Sequence, residues 1–295
     1  MTDPTLPLKS FRKEKDFLIG IDSDGCVFDT MESKMRQCII PRIIADWGLE
    51  AIAGPVRETA EFVNLYSAWR GVNRFPALIK IFDLLAERLT ADGNEFSLPE
   101  IEALRRWVAG ETKLSNASLE RAARQSGAPV LRRALQWTHH INDAMREIVR
   151  GSPPFRYVRE NLARMAALAD VVVISTATHE YLEREWNEQD YARYVRALAG
   201  QEAGSKREIL ARAMRQGYDA ARVLMIGDAR GDLAAARANG VLFYPIVPGR
   251  EDDSWRQFHE EAFTRFCEGR YAGAYAAERI AAFEQCLPEA PPWVK

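Results

Sequence analysis

Phe17-Leu18-Ile19-Gly20-Ile21-Asp22-Ser23-Asp24-Gly25-Cys26-Val27-Phe28-Asp29 closes a short apolar run on two carboxylates one residue apart, followed by glycine. Such a run, bounded by polar residues, reads as a strand buried on both faces. Side chains alternate along a strand, so Asp22 and Asp24 share a direction at its end, and Gly25 lets the chain turn sharply beside them. Two like charges so placed repel unless a cation or a shared proton relieves them. The same Asp-x-Asp-Gly also builds ordinary turns whose Asp side chains are solvated, so the remaining sequence has to decide between the two.

Outward from this stretch, further apolar runs lie at 171–174, 223–226 and 241–246, with a weaker one at 194–198. Helical patterns separate the later ones at 180–187, 206–216 and 232–239, each closing on glycine or a polar break. Strands alternating with helices predict an α/β fold, a doubly wound, Rossmann-like parallel sheet that binds ligands at the carboxyl ends of its strands.

Between Asp29 and about Gly151 apolar residues recur at helical spacing and no strand pattern stands out, which predicts an all-helical insertion. Its helices are expected at 31–47, bent at Pro41, and at 56–69, 76–90, 98–109 and 129–149, with Pro153-Pro154 marking the return to the sheet. Two more amphipathic helices, at 253–267 and 272–286, carry Trp255, Phe258, Phe263, Phe266, Tyr271 and Tyr275. The division expected is a discontinuous core of 1–29 and 151–250, a helical cap of 30–150, and a helical C-terminal extension of 251–295. That extension would pack on the core or form a dimer contact, so the chain is expected to be a monomer or a homodimer.

Composition narrows the function classes. The 295 residues exceed one typical domain, and the 47% hydrophobic and 28% charged content is ordinary for a globular protein. No apolar run approaches the ~20 residues needed to span a bilayer, so no membrane role is expected. The net charge of −2 gives no electrostatic case for nucleic acid. Residues 1–16 lack the pattern of a secretory signal and read as a frayed start, and Cys26, Cys38, Cys267 and Cys286 form no Cys-x-x-Cys. The expectation is a cytoplasmic protein with reduced thiols, in which Cys26 is either reactive or a small buried side chain.

Three other strand ends or adjoining loops carry polar residues of the kind phosphoryl transfer uses. Ser175-Thr176 follows the run at 171–174 and offers hydroxyl and turn N–H groups to an anion, although Ser and Thr are also ordinary helix caps. Lys206 is the only lysine between Leu114 and Val294, in a chain whose 40 basic residues are eight lysines and 32 arginines. A lone lysine in an arginine-only stretch marks a place for a compact ammonium where a guanidinium fork does not fit. Val223-Leu224-Met225-Ile226-Gly227-Asp228-Ala229-Arg230-Gly231-Asp232 runs from a strand into an acidic loop and a helix, where Asp232 either joins the site or caps the helix. Two acidic strand ends bracketing one cleft can hold a hard cation, and Mg²⁺ favours a few carboxylates with water and phosphate.

Taken as a set, these segments resemble the motifs of the haloacid-dehalogenase-like hydrolase superfamily: Asp22-Ser23-Asp24-Gly25 the first, Ser175 the second, Lys206 the third, and Gly227-Asp228 with Asp232 the fourth. The likeness covers about residues 16–29 and 153–247, and the helical insertion stands where many members carry a cap. Cys26 and Ala229 depart from the commoner Thr and Ser. The resemblance implies that Asp22 attacks phosphorus to form an aspartyl-phosphate and that Asp24 protonates the leaving oxygen and then activates water. It implies Mg²⁺ on Asp22, Asp24 (through its backbone carbonyl) and Asp228, with Asp232 in support, and phosphate oxygens held by Ser175, Thr176 and Lys206. The expected activity is Mg²⁺-dependent hydrolysis of a small phosphorylated metabolite. A sugar phosphomutase and a non-catalytic phosphate-binding module are the rivals. In the insertion, Arg70, Asn73 and Arg74 crowd a glycine-broken turn at 66–75 and are expected either to contact the non-reacting part of the substrate or to form a solvated helix junction.

Overall fold

In a computed structural model, residues 8, 10–148 and 151–293 are described; half of the expected frayed start and the last residue of the helix expected at 129–149 lie outside them. Five parallel strands, β1 (Phe17–Ile21), β2 (Ala169–Ile174), β3 (Ala197–Ala199), β4 (Val223–Gly227) and β5 (Leu242–Pro245), form one sheet in the order β3-β2-β1-β4-β5. Alternation splits each strand between two cores. Ile19, Ile21, Val171, Val173, Leu224 and Ile226 face one cluster, and Leu18, Val172, Ile174, Val223 and Met225 the other. Burial on both faces explains why the strands are continuous apolar runs.

Two strand starts differ from the sequence reading by more than one residue. β2 starts at Ala169 and includes Asp170, a buried carboxylate that breaks the apolar run. Asp170 Oδ2 accepts from the Glu14 and Lys15 N–H groups (2.8 and 2.9 Å) and from the Tyr218 hydroxyl (2.6 Å), which offsets its loss of water. β3 is shorter than 194–198 because a 3₁₀ turn, Ala192–Tyr194, leads into it. A helix the sequence reading lacks, Val158–Leu168, precedes β2 and buries Val158, Leu162 and Met165.

The chain forms two compact units. Of the described residues, one holds 8–30 with 151–288 and the other 31–148 with 289–293. The C-terminal extension, 251–295, divides between them at residue 288. Trp255, Phe258, Phe263, Phe266 and Tyr271 belong to one cluster of the sheet unit, and Phe283 and Leu287 to the other. Trp293 sits with the helical unit, its ring 5.6 Å from that of Phe62.

Among its described residues the second unit has no strand, and its main helices are Ile40–Trp47, Ala53–Leu65, Arg74–Ala91, Glu102–Gly110, Asn116–Ser126 and Pro129–Ile148. They enclose a core of Ile43, Trp47, Val63, Phe75, Phe82, Leu85, Trp107 and Trp137. The bend anticipated at Pro41 takes the form of a wide π-type turn over Lys34–Ile39, in which the Ile40 N–H reaches back to Met35. Proline lacks an N–H and crowds the preceding turn, and the wider spacing absorbs both effects. Asn116–Ser126 is the second helix the sequence reading lacks. None of the described helices is long and apolar enough to cross a membrane.

Candidate active site

From β1 the chain winds outward to β2 and β3, then returns to set β4 against the other side of β1. The carboxyl ends of β1 and β4 therefore flank the point where the winding reverses, the usual ligand position in such sheets. Asp22 follows β1 directly, and its N–H donates to the Ile226 carbonyl (3.0 Å), holding it in line with the strand. Asp228 follows β4, and Asp232 lies in the first turn of the helix Arg230–Ala238. Carboxylate oxygens of Asp22, Asp228 and Asp232 come within 4.8 Å of one another, and all three residues are buried.

Gly227 makes this approach possible. A Cβ there would fall 2.3 Å from Asp232 Cγ, so no side chain fits between the strand end and that carboxylate. Asp232 does both things its position allows. Oδ2 accepts from the Ala229 N–H (3.1 Å), closing the start of its helix, and Oδ1 accepts from Lys206 (2.6 Å).

Lys206 opens the helix Lys206–Met214, where Ser205 and Glu208 form a reciprocal capping box. Its Nζ donates to Asp22 Oδ2 (2.7 Å) as well as to Asp232. Burial pushes the Asp22 pKa up to about 6; Lys206 opposes that rise and the Asp228 charge adds to it. Asp232 is likewise raised to about 6 by burial, with Lys206 opposing and Asp22 adding. For Lys206 burial alone acts downward, but the Asp22 and Asp232 charges outweigh it, so the pKa is raised and the ammonium stays charged. Three buried carboxylates against one ammonium leave surplus negative charge on hard oxygen donors. That donor chemistry fits a divalent cation such as Mg²⁺.

Asp24 is partly exposed, and its Oδ1 accepts from the Thr30 hydroxyl (2.6 Å). Gly25 takes φ +73°, in the left-handed region that side chains avoid. The turn it permits brings the N–H groups of Cys26, Val27 and Phe28 onto the Ser23 carbonyl (3.3, 2.8 and 3.2 Å). Cys26 is fully buried, and burial with the Asp228 charge raises its pKa, so it packs as an inert thiol.

Ser175 continues β2, donating its N–H to Ala199 (3.0 Å) and accepting at Oγ from the Ala177 N–H (3.1 Å), while Thr176 is exposed. Two bonds tie this loop to the one before Lys206: Gln201 N–H to Ala177 (2.8 Å) and His179 N–H to Glu202 Oε2 (3.0 Å). Asp22, Asp228, Asp232 and Lys206 thus form one cluster, with Asp24 on the adjoining turn and Ser175 and Thr176 at the next strand end.

The turn residues of the helical unit have partners inside that unit. Arg70 is buried and donates to the Leu65 carbonyl (3.1 Å). Asn73 caps the helix Arg74–Ala91 by accepting from the Phe75 N–H (3.0 Å), and Arg74 donates to Asn142 (2.9 Å). Burial lowers the Arg74 pKa to about 10, which still leaves it charged at neutral pH.

Ser23, between the two aspartates, went unread in the sequence. It is fully buried, donates to Glu185 Oε2 (3.1 Å) and accepts from the Trp186 indole N–H (2.9 Å), while Tyr181 donates to Glu185 Oε1 (2.7 Å). The signal available was a glutamate on the inward side of a short helix, three positions after Leu182.

No protein-family model and no curated protein matches this chain. Solved structures do. A Bacteroides fragilis protein named as a haloacid dehalogenase-like hydrolase aligns with a TM-score of 0.51 at 13% identity, covering 81% of this chain and 93% of its own. A Lactobacillus delbrueckii subsp. bulgaricus protein named as a phosphoglycolate phosphatase aligns at 0.48 and 14%, covering 84% and 92%. At such identities the likeness is one of fold, and the first alignment carries it: the chain has the haloacid dehalogenase-like fold.

Proposed function

We propose that this protein is a Mg²⁺-dependent phosphatase that hydrolyses a small phosphomonoester through an aspartyl-phosphate on Asp22. The observation that carries the reading is the convergence of Asp22, Asp228, Asp232 and Lys206 at the switch point of the sheet. Fold likeness alone does not fix a function, so the case rests on this constellation.

Asp22 is held for in-line attack from two sides, Oδ1 by the Ser23 N–H (2.8 Å) and Oδ2 by Lys206. One carboxylate oxygen bonds to phosphorus as the bond from phosphorus to the ester oxygen breaks, and Asp24 donates a proton to the departing alcohol. Thr30 keeps the Asp24 carboxyl turned for this transfer. Asp24, now ionised, takes a proton from water as the water oxygen attacks phosphorus, which releases inorganic phosphate and restores Asp22. Lys206 and Ser175 hold the non-bridging oxygens. Mg²⁺ held by Asp22, the Asp24 carbonyl and Asp228 would supply positive charge that offsets repulsion between nucleophile and phosphate.

The test is phosphate release from a panel of sugar phosphates, nucleotides and phospho-acids, with EDTA and with Mg²⁺ restored. Turnover that vanishes in EDTA and returns with Mg²⁺ supports the reading. Undiminished turnover in metal-free protein contradicts the metal role, and isomerised product without free phosphate contradicts hydrolysis.

A further inference from the structure

Glu185 is a carboxylate with 6% of its surface exposed, on the helix His179–Glu188 that follows the Ser175 loop. Its two oxygens accept from two hydroxyls, Oε1 from Tyr181 and Oε2 from Ser23. Burying a carboxylate is costly, and hydrogen bonds to a charged acceptor offset part of that cost only when the donors are well placed. A glutamine or an apolar residue would be the cheaper filling for a purely structural position here.

The place where this carboxylate spends its second oxygen is specific. Ser23 lies between the proposed nucleophile and the proposed acid, its N–H donates to Asp22 Oδ1 (2.8 Å), and its carbonyl collects the N–H groups of the Gly25 turn. The Ser23 hydroxyl accepts from Trp186 and so has one proton left to give, which goes to Glu185. Trp186 packs edge-on to Phe28, at the far end of the same turn, with ring centroids 5.6 Å apart. Residues 185 and 186 therefore grip both ends of the turn that carries Asp22 and Asp24.

We propose that Glu185 is a positioning residue. By accepting the hydrogen bond of the Ser23 hydroxyl it fixes the Asp22–Asp24 turn, and Tyr181 holds the Glu185 carboxylate in the orientation this requires. The catalytic part of the proposal rests on the reading of Asp22 as nucleophile; the pinning of the turn does not. Glu185 acts on the two aspartates through Ser23.

The experiment is a double-mutant cycle on Ser23→Ala and Glu185→Gln, read in two ways. Hydrogen exchange of peptides covering residues 21–30 reads the pinning with no substrate present. Each single variant should speed exchange there about tenfold or more, with exchange in β4 and β5 unchanged, and the double variant should exchange no faster than the faster single. Steady-state turnover of p-nitrophenyl phosphate with Mg²⁺ reads the consequence. kcat should fall about ten- to hundredfold with KM within about threefold, again without additivity, and Tyr181→Phe should give a smaller loss of the same kind.

Exchange at wild-type rates in both single variants overturns the proposal, whatever the turnover. So do additive losses, which would mean that Glu185 acts independently of Ser23. Faster exchange over the whole sheet unit in Glu185→Gln would also overturn it by making Glu185 a stability residue. An inactive wild-type protein whose turn still loosens locally in the variants supports the pinning and contradicts the phosphatase reading instead.

Discussion

Lys206 shows at the level of one side chain why a compact ammonium stands in a stretch otherwise served by arginine. Its Nζ sits 2.7 Å from Asp22 and 2.6 Å from Asp232, a gap between two buried oxygens that suits a point charge and not a planar fork. Lys206→Arg should therefore lose most turnover while remaining folded, and near wild-type kcat by phosphate release would remove Lys206 from the site. Asp22→Asn should abolish turnover, and Asp24→Asn should lower kcat by about 10²–10⁴-fold, the usual worth of general acid–base catalysis. The raised pKa values predict a pH signature. Asp22 and Asp232 titrate near 6 in the folded protein against 3.8 ordinarily, so between those values the folded state holds more protons than the unfolded one. Their contribution to stability therefore falls as pH rises through that window and levels off above it. Mg²⁺ must displace those protons, so the rise in Tm that it produces should be small near about pH 5 and grow to a plateau above about pH 7. Equal rises at both ends, by differential scanning calorimetry, would contradict the carboxylate site.

Strand ends and helix starts do most of the positioning at the next scale. Asp232 illustrates it: only the absence of a side chain at Gly227 admits its carboxylate, which the first turn of its own helix then aims at Lys206. Gly227→Ala should displace Asp232, lower Tm and reduce turnover about tenfold or more; unchanged values in calorimetry and assay would show that the strand end has slack. Asn73 belongs to the same class of effect in the helical unit. Asn73→Ala removes a helix cap and should cost about 1 kcal/mol of stability by urea unfolding. What the sequence made legible follows these local rules. The apolar runs of β1 and β4 were readable because both faces are buried, whereas Asp170 hid the start of β2. The helix Val158–Leu168 begins after Tyr157 in a left-handed conformation without a side-chain cap, so no start signal marked it. Asn116–Ser126 has a capping box at Ser115 but buries few apolar side chains, and its periodicity is faint. For Glu185 the spacing from Leu182 was the one signal, and it is faint because only packing reveals that this glutamate is buried.

Two units of different character account for the molecule as a whole. Asp22 and Asp228 were legible because each follows a strand directly and ends its apolar run, and Lys206 because it is the only lysine between Leu114 and Val294. The assignment of 251–288 to the sheet unit was not, because an aromatic stripe looks the same whether it covers its own core or another surface. In the structure the Trp255 indole donates to the Cys26 carbonyl (2.7 Å) and the Tyr271 hydroxyl to Phe243 (2.7 Å), so these helices complete the core behind the Asp22 turn. A chain ending at residue 250 should accordingly fail to fold, seen as loss of a cooperative thermal transition; a folded, active truncation would contradict that role. The central claim is covalent catalysis by Asp22, and its most direct test is acid quenching of the Mg²⁺-loaded protein during turnover, followed by peptide mass mapping. The account predicts one phosphoryl group on Asp22 in the wild-type protein and none in Asp22→Asn. A phosphoryl group on another residue, or Asp22→Asn turning over at the wild-type rate, would contradict it.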